Sequence, residues 1–201
     1  MLRRLFLLWS FFSLTTALFA QSSPSAEGHS LPVWVGGAIS WFNPDYGCSS
    51  SSPFSCGGHQ LIGPTIYAEL PHLFINRIGV ASEFRFMHWN GPAAGLNEDT
   101  YLFGPQVRVW SFGRVDLNGK FLIGNGHISI PDNGVGQGNY LVYAPVFGAV
   151  YRATPRLSVR LEYEYQMWPS FQGMATSFTS GTGGITPNGF TVGVNYRLFP
   201  R

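Results

Sequence analysis

Residues 153–168 read A-T-P-R-L-S-V-R-L-E-Y-E-Y-Q-M-W, and after the Thr-Pro turn the stretch alternates apolar and polar side chains without a break. Leu157, Val159, Leu161, Tyr163, Tyr165 and Met167 share one parity, while Ser158, Arg160, Glu162, Glu164 and Gln166 share the other. Successive side chains of a strand point to opposite faces, so this period of two predicts a β-strand with one apolar and one charged face. Which face meets water is decided by the rest of the chain.

Outward from this strand, the composition is that of an all-β chain. Aromatics make up 16% of the residues and charged groups only 11%, and Val, Ile, Thr, Tyr, Phe and Trp gather in short runs broken by Gly, Pro, Asn and Ser. Seven further runs read as strands, over residues 33–42, 60–70, 77–87, 100–110, 115–124, 139–152 and 188–199. Long loops rich in turn formers alternate with short turns, four on one side and three on the other. The loops at 43–59, 88–99 and 125–138 and the one beginning at Trp168 are the long ones, and the connection at 71–76 is short. An even number of strands with this alternation predicts an eight-stranded, antiparallel, up-and-down barrel. A weak repeat accompanies it: G-P-T-I-Y, G-P-Q-V-R and A-P-V-F-G place Pro64, Pro105 and Pro145 in strands two, four and six. Proline removes a ladder hydrogen bond, so these three positions count against fully paired strands.

The N-terminus carries Arg3 and Arg4, an apolar run to Phe19, then Ala20 before Gln21-Ser22-Ser23-Pro24, the layout of a secretory signal peptide. Cleavage is expected after Ala20, with Ala17 as the alternative, which leaves a short segment at 21–31 and a barrel at 32–201. The two cysteines, Cys48 and Cys56, flank a Ser-rich stretch, and in an exported protein they are expected to close a loop disulfide. A metal site there would lack carboxylates nearby. A net charge of +2 with no basic cluster gives no reason to expect nucleic acid.

On strands three, four, five, seven and eight one parity carries Glu83, Arg85, Arg108, Asp116, Lys120, Arg160, Glu162, Glu164 and Arg197, and the other carries almost no ionisable group. A soluble ligand-binding barrel would put such charges outside. The opposite parity, however, holds more branched and aromatic surface than an eight-stranded lumen has room for, so it is expected to face a bilayer. Strands of about ten residues suit a tilted membrane crossing, and closure leaves no unpaired edge in lipid.

At this point T-P-R-L-S-V-R-L-E-Y-E-Y, followed after a loop by N-G-F-T-V-G-V-N-Y-R-L-F, resembles the last two strands of the outer membrane protein A-like eight-stranded barrels of Gram-negative envelopes. The resemblance implies that Arg160 and Glu162 belong to an interior charge cluster. It also implies that Tyr196 and Phe199 serve as an aromatic-ended signal for the outer-membrane assembly machinery, although Pro200 and Arg201 follow. The implied surroundings are outer-membrane lipid and lipopolysaccharide, with the short turns and both termini in the periplasm. No peptidoglycan-binding domain is expected after the barrel, so cell-wall anchoring is not implied.

Unpaired charges in a narrow lumen are costly. Glu83, Glu162 and Glu164 are therefore expected to interleave with Arg85, Arg108, Lys120, Arg160 and Arg197, either as a structural plug or as a narrow gated ion path. Lipid A deacylases use a His-x-Ser pair with a neighbouring acid, and loop residues His127 and Ser129 resemble that pair superficially. Strand six offers no acid, so no enzymatic role and no cofactor are expected. His59, His88 and His127 at loop edges read as rim residues rather than metal ligands. Trp41, Trp89, Tyr101 and Trp168 are expected to form an aromatic girdle at the long-loop rim, with Trp110, Tyr151, Tyr196 and Phe199 forming another at the short-turn rim.

Overall fold

The computed structural model describes residues 32–45, 60–75, 77–90, 95–129, 137–171 and 184–199. The expected signal peptide, the 21–31 segment, Cys48, Cys56, His59, Pro200 and Arg201 lie outside the described residues. Eight strands follow one another: β1 (Trp34–Asn43), β2 (Leu61–Ile75), β3 (Ile78–Trp89), β4 (Asn97–Phe112), β5 (Val115–Ser129), β6 (Gly138–Arg152), β7 (Leu157–Tyr165) and β8 (Asn188–Arg197). Each pairs antiparallel with its sequence neighbour, and β1 pairs with β8 to close the barrel.

Several strands run further than their sequence pattern suggests, β3 among them, which takes in His88 and Trp89. β2 continues through the expected turn to Ile75, with a bulge between Leu70 and Ile75 that accommodates Pro71. β4 starts at Asn97 and β5 runs on to Ser129, so 125–129 is strand rather than loop. Gly and Asn there read as turn formers, but pairing with β4 and β6 overrides local propensity.

The three prolines obey one rule. Pro64 pairs with Ile39 of β1, Pro105 with Val80 of β3 and Pro145 with Phe121 of β5, each on the side of the preceding strand. On the other side the ladder breaks for two residues. It passes from Ile62↔His88 to Thr65↔Arg85, from Phe103↔Ile123 to Gln106↔Lys120, and from Tyr143↔Met167 to Val146↔Glu164. The register is the same before and after each gap. The missing N–H thus falls where pairing is already interrupted, and the strand loses hydrogen bonds without slipping.

Side chains alternate as the pattern predicts. β7 reads exposed and buried in strict turn, with Leu157, Val159, Leu161, Tyr163 and Tyr165 outside and Ser158, Arg160, Glu162 and Glu164 inside. The outer face carries Ile66, Phe84, Phe103, Val107, Phe121, Phe147, Phe190 and Val194, all exposed. On β4 this apolar face extends from Tyr101 to Trp110; at about 3.3 Å per residue and about 40° of tilt it is about 25 Å tall, the height of an outer-membrane hydrocarbon band. Above it, toward the long loops, the outward positions turn polar with His88, Asn97, Asp99, Asn125 and His127.

The girdle expectation needs correction at two positions. Trp89 and Trp168 are 7% and 0% exposed and point into the barrel, not toward its surroundings. They share the parity of Arg85 and of Glu164 respectively, and that parity faces inward. Trp41 and Tyr101 do face outward. At the opposite end a bulge between Arg108 and Trp110 turns Trp110 outward beside Val109 and Phe112, and Tyr151, Tyr196 and Phe199 are exposed there too.

Candidate functional site: the filled lumen

The interior is built in two layers. Near the short turns, inward positions of four strands bring seven ionisable groups together: Glu69 of β2, Glu83 and Arg85 of β3, Lys120 of β5, and Arg160, Glu162 and Glu164 of β7. All are at most 9% exposed. Period two delivers each side chain to the lumen; strand stagger brings them to one height.

Lys120 Nζ lies 2.7 Å from Glu69 Oε1, from Glu83 Oε1 and from Glu162 Oε1. Arg160 donates from Nη1 to Glu69 Oε1 at 2.9 Å and from Nη2 to Glu83 Oε1 at 3.1 Å. Its Nη2 is also 2.9 Å from Glu162 Oε2, a Coulombic contact whose angle makes no hydrogen bond. The Arg160 guanidinium sits 3.4 Å from the Tyr67 ring centroid, and Tyr67 donates its hydroxyl to Asn195. Gly36 makes room for this stack, since a Cβ there would collide with the Tyr67 ring. Arg85 pairs with Glu83 and with both oxygens of Glu164.

Carboxylate oxygens of Glu69, Glu83 and Glu162 come within 4.8 Å of one another, the spacing of a divalent-cation site. The Lys120 ammonium occupies the space between them. The three acids hold a tethered cation, and a free one would have to displace it.

Toward the long loops the same inward parity turns mostly apolar, with Glu98 and Thr100 of β4 as buried exceptions. Phe42, Leu61, Met87, Trp89, Leu96, Leu102, Leu122, Ile128, Val142, Ala144, Trp168, Phe171 and Ile185 pack as one buried cluster. Trp168 is placed by its bridge to Ile185, lies against Gly126, where a Cβ would strike its ring, and has Tyr140 at 6.2 Å between centroids. A chain of side chains ties the layers together. Trp168 Nε1 donates to Gln166 Oε1 at 2.8 Å, Gln166 Nε2 donates to Glu164 Oε1 at 2.8 Å, and Glu164 accepts from Arg85, whose guanidinium lies 5.5 Å from the Phe42 ring centroid.

Of the eight residues expected in the network, six meet here. Arg108 and Arg197 do not: by register Arg108 lies opposite Asn118 and Arg197 opposite Trp34, one step beyond the cluster toward the short turns. Glu69 and Tyr67, at inward positions of β2, complete the cluster and were not among its expected members. The plug formed by Trp89 and Trp168 was missed as well, although continuing the parity of Glu83-Arg85 and of Glu162-Glu164 leads to both. His127 and Ser129 lie on β5 rather than in a loop. His127 Nδ1 is 3.0 Å from Asn139 Oδ1, and Asp99 stands opposite it on β4.

A closed, eight-stranded antiparallel barrel with an apolar exterior and a side-chain-filled interior defines an outer-membrane-type β-barrel. Solved structures of that type match it. Neisserial surface protein A matches at a TM-score of 0.59 and 11% identity, over 83% of this chain and 96% of that one. The outer membrane protein OprG of Pseudomonas aeruginosa matches at 0.55 and 12%, over 87% and 99%. At such identities the likeness is one of fold. A scan against protein-family models finds no match. A search of curated proteins finds none either.

Proposed function

We propose that this chain is a small integral protein of a bacterial outer membrane whose barrel is a closed scaffold rather than a conduit, and whose work is done by its long loops and its lipid-facing wall. The observation that carries this reading is the double filling of the lumen: an ion-paired layer at one height and a packed apolar layer at another. Eight strands enclose just enough space for side chains, and an ion crossing here would have to break both layers. The short turns face the periplasm and the long loops the exterior, as in barrels of this type. Lipopolysaccharide and phospholipid surround the wall, and Tyr196 of β8 with Phe199 just beyond it forms the aromatic end that the assembly machinery reads. No catalytic role is assigned to His127, whose Nδ1 lies 3.0 Å from the Asn139 amide oxygen.

The test is electrical. Purified protein, refolded until its unheated electrophoretic band runs ahead of the boiled one, is inserted into planar bilayers. No conductance steps are expected in the wild type, and steps are expected in a variant combining Trp168→Ala with Arg160→Ala. Regular openings of the wild type would overturn the closed-scaffold reading in favour of a narrow channel.

A further inference from the structure

The two ends of the barrel carry opposite charge. At the short-turn end stand Arg77, Arg108, Arg114, Arg152, Arg156 and Arg197, against Asp116. That acid is already engaged by Ser111 Oγ at 2.5 Å and Arg152 Nε at 3.3 Å. At the long-loop end the ionised groups among the described residues are Asp45, Glu98 and Asp99, and the loop sequences between them contain no Lys or Arg.

Within the basic end lies a hollow of about 440 Å³ lined by Arg77, Arg108, Val109, Trp110 and Ser111. It arises from the fold. β4 continues past the point where β3 begins, with Arg108 N donating to Arg77 O at 2.8 Å, and the bulge at Val109 swings Trp110 to the outside. Trp110 and Phe112 are 66% and 79% exposed and extend the apolar outer face to the edge of the hollow.

We propose that this hollow seats the phosphate of an anionic phospholipid headgroup from the leaflet around the short turns. Guanidinium groups present paired donors that match phosphate oxygens. An exposed indole beside them belongs at the level of lipid headgroups. Val109 and Trp110 line the hollow and are also exposed on the apolar wall, so its occupant carries acyl chains that lie along them; a free anion would gain nothing from that surface. The absence of cations at the other end places phosphate recognition on one leaflet only. This inference rests on the membrane-spanning reading proposed above.

The test uses the full chain, stripped of lipid, refolded in uncharged detergent and offered equal amounts of phosphatidylglycerol and phosphatidylcholine of the same acyl chains, with retention read by native mass spectrometry. Preferential retention of phosphatidylglycerol is expected, weakened about fivefold by Arg77→Gln and only partly restored by Arg77→Lys, which keeps the charge but not the paired donors. Arg114→Gln, outside the hollow, is expected to leave it nearly unchanged, and millimolar inorganic phosphate to leave it in place. Equal retention of the two lipids, displacement by inorganic phosphate, or an Arg114→Gln effect as large as that of Arg77→Gln would each overturn the proposal. Heat-modifiable mobility is followed in parallel. Its loss in the wild type would sink the membrane-barrel reading itself, whereas its retention with no lipid preference would sink this inference alone.

Discussion

The lower and upper halves of the lumen meet the same need, a space that must not stay empty, with opposite chemistry. Around Arg160 the filling is ionic, and every group depends on the charge of its neighbours: four carboxylates share three cations with almost no water contact. Around Trp168 the filling is apolar and depends on shape. Charge interactions in a poorly hydrated interior are strong but conditional on a partner, since removing one member leaves the others buried and uncompensated. Packing interactions are individually small and degrade in proportion to the volume removed. The lower half should therefore be intolerant of single changes and forgiving of matched ones, and the upper half the reverse.

The largest effect should come from Arg160→Met, which strips a cation from Glu69, Glu83 and Glu162 together. A loss of about 5 kcal/mol is expected in urea titrations of the lipid-refolded protein. The paired change Arg85→Gln with Glu164→Gln, which removes one charge of each sign, should cost clearly less. Equal costs would erase the distinction between the halves. Next comes Trp168→Ala, expected to lose about 3 kcal/mol by cavity formation. Trp168→Phe should recover most of it, and Gly126→Ala should mimic the loss in part by pushing the ring aside. The smallest is Tyr67→Phe, about 1 kcal/mol for the hydroxyl bond to Asn195. Its stack against Arg160 survives the change, and a much larger loss would mean that the ring's position depends on that bond.

How much of this could be read from the chain follows from the same contrast. Where inside is charged and outside apolar, as on β3 and β7, period two shows the face of every residue. Where both sides are apolar it shows little. Alternation does not separate the faces of β6, because Val142, Ala144 and Val146 point inward while Leu141, Tyr143 and Phe147 point outward. Trp89 and Trp168 were assigned to the girdle for a related reason: an aromatic near a barrel rim suits lipid headgroups and a lumen equally well, and only its parity decides. Height along the axis was less legible still. Arg108 and Arg197 have the right parity for the ionic cluster and lie beyond it, because depth is set by the stagger between strands, which no strand carries alone. The prolines are the converse case. Their positions violate a local rule until the ladder gaps are seen beside them.

The ionic layer also bears on how the barrel comes together. Glu69 finds Arg160 across 91 residues of chain and Arg85 finds Glu164 across 79. Contacts between such distant partners form late and slowly in a folding chain. A sheet of β2 through β5 brings in Glu69, Glu83, Arg85 and Lys120 but lacks the β7 groups that complete the cluster. Entering the hydrocarbon in that state would expose charge whose compensation is still outside, so partial insertion is penalised until β7 docks. The cluster thus acts as a latch on the order of events. On the proposed membrane-spanning reading, strand closure and membrane entry become one concerted step.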